Sequence, residues 1–506
     1  MTETVVREIE RKYELPEGVV LPTLDDLPGI EADPAADVFE LEAVYFDTED
    51  LRLATHRVTL RRRTGGDDAG WHLKLPAGPD GRDEIRWPLG RASRSVPTEL
   101  KALVTAYTRG AALAPVARIK TTRTRRRLRD PGGSVLAEVV ADEVAGQTLG
   151  RESTVSSWSE LEVELAGGHA KLLDTVEKRL RAAGVRRSPN ASKLARVLAD
   201  RMPDARSARA GRQKKKSVAV VVVDHLREQA AAILEYDPRV RRDEPDSVHK
   251  MRVATRRLRS ALRTFKTVVD RDATRSVGDE LKWLAGVLGE ARDLEVLRAS
   301  LGEKIDATPD ELVVGPVRAR VTGHLAKQQA EAREHVLEAL NSKRYFALLD
   351  ALDDLAENPP LTREARNPAA RALPQTLRRS HRRVAREIDA AVTLPPGEQR
   401  DHLLHEARKS AKRARYAGEA SQPALGKVAK QFAGAMEDVQ ESLGAHQDSV
   451  VARQVLRELG MQAHLAGENG FTFGLLHRGE QALADGVEDR IPEVREAVRV
   501  AGRRLR

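Results

Sequence analysis

The chain has 506 residues, of which 41% are hydrophobic, 32% charged and 3% aromatic, and it contains no cysteine. That length exceeds what one core usually organises, so at least two domains are expected, and the lack of cysteine excludes disulfide frameworks, thiol catalysis and thiolate metal sites and fits a cytoplasmic setting. The net charge of +9 is uneven: residues 1–200 carry 31 Lys and Arg against 32 Asp and Glu, and the remainder 55 against 45, so the C-terminal part should attract polyanions.

The N-terminus is charged from Glu3 onward, unlike a secretory signal. The longest apolar run, Val218 to Val223, falls far short of the ~20 residues a membrane span needs. From Val5 to about Leu165 the pattern is short and alternating, with turn clusters at Thr64-Gly65-Gly66-Asp67 and Asp130-Pro131-Gly132-Gly133, which predicts strands and hairpins. Helices are expected over His169–Ala183 and Ser188–Ala199, the second opening on Ser188-Pro189 as cap and first turn. A basic linker follows over 201–216, closing with Lys214-Lys215-Lys216. Beyond it, 3.6-residue periodicity predicts long helices broken at Asp237-Pro238, Pro359-Pro360, Pro395-Pro396 and Gln422-Pro423.

The helical part repeats itself. Val248-His249-Lys250-Met251-Arg252 with Arg256-Arg257-Leu258-Arg259 returns 156 residues later as Leu404-His405-Glu406-Ala407-Arg408 with Lys412-Arg413-Ala414-Arg415. Leu288-Gly289-Glu290-Ala291-Arg292-Asp293 returns as Leu443-Gly444-Ala445-His446-Gln447-Asp448. A duplicated unit, over about 217–357 and 368–506, predicts two packed helical bundles.

In the β-rich part, charged residues alternate with apolar ones. Glu8, Glu10 and Lys12 leave one face of their strand; Arg61 and Arg63, His72 and Lys74, Glu84 and Arg86, Arg118 and Lys120, Glu138 and Asp142, and Glu160, Glu162 and Glu164 do the same on theirs. Each strand alone reads as a wet face opposite a core face. As a set, acid-only and base-only faces on separate strands suit a barrel interior in which carboxylates hold divalent cations and Arg and Lys hold phosphates. Helical residues Leu172–Leu180 would cover the apolar outer faces.

Glu8-Ile9-Glu10-Arg11-Lys12 resembles the ExExK signature of the CYTH superfamily, the triphosphate tunnel metalloenzymes. Leu60-Arg61-Arg62-Arg63, Leu73-Lys74-Leu75, Glu84, the basic run from Arg118, Asp142, Glu160-Leu161-Glu162-Val163-Glu164 and Ser192-Lys193 follow in order. The resemblance covers about residues 4–200 and implies an eight-stranded antiparallel tunnel that takes triphosphate compounds with Mg²⁺ or Mn²⁺. It implies Glu8, Glu10, Asp142, Glu160 and Glu162 as metal ligands, Lys12, Arg61, Arg63, Lys74, Lys120 and Lys193 as the phosphate grip, and Glu84 beside them in the catalytic set. One departure stands out: after Arg118 and Lys120, strict alternation places Thr122 inward and Arg123 outward.

On the helical side, His249, Arg252, Arg256, Arg259 and Arg263 form one stripe, repeated by His405, Arg408, Lys412 and Arg415, with Glu419 in place of the fifth base. A third stripe is Arg379, Arg382, Arg383 and Arg386. A lone basic stripe is commonly a solvated face; its duplication points to a polyanion. The region 215–506 resembles the CHAD domain, two four-helix bundles with conserved histidines, associated with binding inorganic polyphosphate. The resemblance implies His249, Arg252, Arg256, Arg259, His405, Arg408, Lys412 and Arg415 as the polyphosphate surface.

The sequence holds no GxxxxGK[ST] loop, GxGxxG, GxSxG or HExxH, and its few aromatics argue against base stacking on nucleic acid. The expected architecture is α+β, a β tunnel with flanking helices over 1–200 and an all-α domain over 217–506. The expected function is a metal-dependent triphosphatase that converts tripolyphosphate to pyrophosphate and phosphate, fused to a polyphosphate-binding module. A polyphosphate-binding protein with a silent tunnel, and a tunnel acting on thiamine triphosphate or cyclising ATP, stay open.

Overall fold

A computed structural model describes residues 4–505 except 17, 20, 25–26, 34–35, 78–80, 91–94, 151, 203–216 and 396, and omits the side chains of 4, 32, 445–447 and 487–489. The linker expected over 201–216 lies almost wholly outside the described residues; Arg201 ends a short 3₁₀ turn. The chain divides into two compact units, Met1–Ala205 and Arg206–Arg506.

The first unit contains β1 (Thr4–Glu14), β2 (Glu31–Ala32), β3 (Asp37–Asp47), α1 (Arg52–Thr55), β4 (Thr59–Thr64), β5 (Gly70–Pro76), β6 (Gly81–Trp87), α2 (Thr98–Thr108), β7 (Ala114–Arg129), β8 (Val135–Thr148), β9 (Val155–Leu165), α3 (Ala170–Ala182), β10 (Arg186–Arg187) and α4 (Lys193–Val197). Strands pair in the order β1-β6-β5-β4-β3-β7-β8-β9, and β9 returns to β1, so eight antiparallel strands close into a barrel. Closure leaves no free edge along the wall, and the two-residue side-chain period sends one set of residues inward and the other outward. Outside, Leu161 and Val163 of β9, Ala137 of β8 and Tyr13 of β1 are buried beneath Leu173, Val176 and Leu180 of α3. The expected apolar outer face with its helical cover is therefore present.

The second predicted helix is shorter than expected. β10 still pairs with β1, and the Ser188 amide donates to the Lys12 carbonyl, so this stretch belongs to the sheet. The cap is Ser192, whose hydroxyl accepts from the Ala195 amide at 3.0 Å.

The second unit is all helical: α5 (Val218–Arg241), α6 (Ser247–Thr264), α7 (Arg275–Asp306), α8 (Val317–Leu340) and α9 (Lys343–Glu357), then α10 (Ala369–Val392), α11 (Glu398–Leu425), α12 (Lys427–Leu465), α13 (Phe471–Asp489) and α14 (Ile491–Arg503). α10, α11, α14 and the first half of α12 bury one apolar cluster that includes Ile388, Leu404, Met436 and Val498. The second half of α12 packs instead with α13, the end of α7 and the start of α8, through Leu301, Leu325, Leu456 and Phe473. Pro238 and Pro423 do not break their helices in advance; both lie in the last turn, where α5 continues to Arg241 and α11 to Leu425. Among the described residues no helix is long and apolar enough to cross a membrane.

Gly146 on β8 positions α4, which carries Lys193. A Cβ there would lie 2.4 Å from Cγ2 of Val197, a buried β-branched side chain with no room to yield. Gly146→Ala is expected to lower stability by about 1–3 kcal/mol through overpacking and to push α4 off the barrel. Urea denaturation of the two proteins measures the loss.

Candidate functional site

The barrel encloses a cavity of about 370 Å³. β1 lines it with Glu8, Glu10 and Lys12, β4 with Arg61 and Arg63, β5 with Lys74, β6 with Glu84, β9 with Glu162, and α4 with Lys193. Asp142 on β8 and Glu160 on β9 are register partners and join the same wall through Lys193. Arg82, Arg86, Arg123, Arg125 and Glu164 also line the cavity and were not among the expected site residues. Parity alone would have added three of them: Arg82 and Arg86 share the face of Glu84, and Glu164 that of Glu162.

Glu84 organises one side. It is almost fully buried and takes His72 Nδ1 at 2.9 Å, Arg86 Nε at 2.5 Å, Lys74 Nζ at 3.5 Å and Arg61 at 3.7 Å. Burial by itself would raise its carboxyl, but His72, Lys74 and Arg61 together hold it far below the usual carboxylate range. Glu84 thus holds the cations in place. Lys74 is shared with Glu8 at 2.5 Å, while burial pushes Glu8 up. Burial, Arg61 and Arg123 bring Arg63 down to about 9.

The opposite side is an acid cluster. Carboxylate oxygens of Asp142, Glu160 and Glu162 lie within 4.8 Å of one another. Lys193 Nζ sits among them at 2.8, 2.7 and 2.7 Å. Arg123 forks onto Asp142 at 2.8 and 2.7 Å and reaches Glu162 at 3.1 Å. Lys12 pairs with Glu162 and with Glu10, and Trp158 Nε1 donates to Glu160 at 2.6 Å. Burial would raise Glu162, yet Lys12, Lys193 and Arg123 hold it well below the usual range. Burial would raise Glu10 too, but Lys12, Lys74 and Arg82 together hold it below its usual value. Farther along β9, burial and the facing Glu8 push Glu164 up to about 7.

The donor chemistry of this cluster fits a hard divalent cation: three carboxylates converge, and Arg123 and Trp158 donate to two of them. The ammonium of Lys193 neutralises the same oxygens, so it and a divalent cation compete for them.

Lys120 is not in the tunnel. Ile119, of the same parity as Arg123, packs with Leu194 and Val197 of α4 in the apolar cluster at that part of the barrel, which turns Arg118 and Lys120 outward. Arg118 pairs with Glu42 at 3.4 Å, and the Thr122 hydroxyl donates to Glu40 at 2.9 Å. The inward bases of β7 are Arg123 and Arg125.

In the helical unit the two stripes approach each other. Arg252 lies against Gly289 and pairs with Asp293 at 3.2 Å; its repeat, Arg408, lies against Gly444 and reaches Asp448 at 3.9 Å. The second repeated motif thus supplies the seat for the first. Burial and the neighbouring Arg256 and Arg408 bring Lys412 down to about 7. Burial and nearby cations also lower His249 and His405, with Arg292 acting on the former and Lys409 on the latter. Two residues separate from this group: Arg415 is engaged by Glu419 and Glu437, and Arg259 lines another crevice.

Added Mg²⁺ or Mn²⁺ is expected to raise the melting temperature, by about 2.7 kcal/mol of stabilisation at a hundred times Kd, and Asp142→Asn to remove that rise. Lys193→Met should cost about 3–5 kcal/mol without metal and enlarge the metal-induced shift. Differential scanning calorimetry of the three proteins with and without metal reads both effects.

Residues 6–198 match the CYTH domain and residues 224–457 the CHAD domain. The chain is 38% identical over 502 residues to uncharacterized protein MT2285 of Mycobacterium tuberculosis strain CDC 1551 / Oshkosh, covering 96% of this chain and 94% of that one, and to the same degree to uncharacterized protein Rv2226 of strain H37Rv. Among solved structures, PptA from Streptomyces chartreusis aligns with a TM-score of 0.46 at 20% identity, over 55% of this chain and 99% of that one. The CHAD domain from the plant Ricinus communis aligns at 0.39 and 23%, over 57% and 94%. The chain belongs to the family of proteins that join a CYTH tunnel domain to a CHAD domain.

Proposed function

We propose that the tunnel is a metal-dependent triphosphatase that hydrolyses inorganic tripolyphosphate to pyrophosphate and phosphate, and that the helical domain binds inorganic polyphosphate. The observation that carries the reading is the enclosed cavity lined by Lys12, Arg61, Arg63, Lys74, Arg82, Arg86, Arg123, Arg125 and Lys193 with an acid cluster in its wall. So many cations around one small space favour a ligand with charge on every unit of its length.

Asp142, Glu160 and Glu162 would hold Mg²⁺ or Mn²⁺, with Glu8 and Glu10 beside them on β1. Such an ion supplies charge neutralisation on the phosphates and a lowered pKa for bound water. Arg61, Lys74 and Arg86, held in place by Glu84, would orient the phosphate oxygens, and the preset cations would stabilise charge developing on the leaving pyrophosphate. Arg123 and Arg125 supply the inward bases of β7, where strict alternation from Arg118 had placed Thr122. Of the aromatic rings in the lining, Phe39 is already covered by Arg125 at 4.7 Å, which favours an inorganic substrate over one that needs a ring platform.

Phosphate release from tripolyphosphate with Mg²⁺ and with Mn²⁺ tests this, with ATP and thiamine triphosphate in parallel. Turnover is expected with tripolyphosphate, and Arg61→Ala or Glu10→Ala should lower kcat by roughly 10²–10³-fold. No release from any of the three, with long-chain polyphosphate still bound, would make this a binding protein.

The helical surface makes a separate forecast. Bound polyanion favours charged Lys412, so affinity should rise as pH falls through about 7. Between pH 8 and 6 the gain is about tenfold, from the protonated fraction alone. His249 and His405, both lowered, add to the rise only at the acidic end. Lys412→Arg should flatten the curve between these pH values, as read by competition binding of labelled polyphosphate.

A further inference from the structure

The helical unit holds a second crevice of about 730 Å³, where the end of α6, the start of α7, α10 and α11 meet. Nine cationic side chains line it against a single carboxylate, Asp279. The cations surround the space from several segments: Arg259 and Arg263 from α6, Lys282 from α7, Arg379 from α10 and Arg413 from α11. Among the described residues no carboxylate pairs with any of these five; Arg413 donates to the Ser410 hydroxyl at 2.7 Å and Arg379 to that of Thr376 at 3.2 Å, both neutral partners. Burial and mutual repulsion weaken the hold on their protons: Arg259 is lowered beside Arg263, and Arg413 beside Arg383 and Arg263.

The internal repeat supplies a control within the same molecule. Advancing by 156 residues turns Arg263 into Glu419 and Lys266 into Gln422, while stepping back from Arg413 gives Arg257. These equivalents meet in a crevice of their own with His225 and Gln229. There Glu419 accepts from Arg257 at 2.9 Å and from Arg415 at 2.8 Å. One crevice is neutralised from within by a carboxylate, and its counterpart has an arginine where that carboxylate would stand.

We propose that the crevice of Arg263, Arg379 and Arg413 is a binding site for a compact, multiply phosphorylated small molecule, present once per chain because Glu419 closes the equivalent place. A linear chain is followed by a stripe along a helix; cations that converge from four helices match phosphates arranged around a small centre. The hydroxyls of Ser410 and Thr376, which already orient two guanidinium groups, fix the direction of their forks. The site requires neither turnover in the tunnel nor polyphosphate on the facing stripes.

Calorimetric titration of the full chain with inositol hexakisphosphate, at about 150 mM salt to screen loose surface attraction, tests it. One molecule per chain is expected. Arg263→Glu, whose new carboxylate meets Arg413 as Glu419 meets Arg257, should keep the fold and weaken binding on the order of tenfold to a hundredfold. Arg379→Gln, at an exposed residue, should weaken it in the same direction. Absence of binding by the wild type, or equal affinity in all three proteins, overturns the proposal. So does a result in which the variants lose only long-chain polyphosphate, which would make the crevice part of a linear-chain surface.

Discussion

Charge enclosed away from bulk water must find opposite charge or hydrogen bonds, and that constraint shapes the whole tunnel. Closing eight strands sends Glu8, Glu10, Glu84, Asp142, Glu160 and Glu162 to the interior, where carboxylates alone would repel one another. Lys74, Arg61 and Arg86 gather on Glu84, and Lys193, Lys12 and Arg123 gather on the acid cluster. The resulting network is self-supporting yet exchangeable. A phosphate can take over the cations, and a divalent ion can take over the carboxylates, each replacing a partner that is already charged.

The helical unit solves the same problem by the opposite route. Its cations lie in crevices and on facing helices, and many have few acidic partners. Where a carboxylate is present, as Glu419 is between Arg257 and Arg415, the local charge closes on itself. Where it is missing, burial and then repulsion from neighbouring cations lower the affinity for protons, as at Lys412 and Arg413. The first arrangement closes its charge within the fold; the second leaves cationic side chains without it.

Backbone geometry decides which residues take part in either network. Gly146 lets α4 approach β8, so that Lys193 reaches the centre of the acid cluster. Gly289 and Gly444 lie beside the guanidinium groups of Arg252 and Arg408, so the repeated Gly-containing segment packs against the repeated basic stripe. Of these three, only Gly146 is needed for close approach: a Cβ at Gly444 would meet the flexible end of Arg408 closely, and one at Gly289 would meet Arg252 at ordinary contact distance.

Alternation along the strands showed which charged residues share a face, and the family resemblance carried by their order implied the eight-stranded tunnel and most of its lining. Glu8, Glu10 and Lys12, or Glu160 and Glu162, occupy one face whatever the rest of the fold does, because the strand period is two. The 156-residue repeat and the helical period likewise revealed the two related halves of the basic unit. Tertiary structure decided what local pattern leaves free. On β7 charged residues occur at both parities, so only the packing of Ile119 against α4 could show that Lys120 faces outward and Arg123 inward. The stripe on α6 was legible as one face, but its division between Arg256, near Lys412, and Arg259, in another crevice, depends on which helices lie beside it. Periodicity assigns a side chain to a face; only the neighbouring elements determine what that face meets.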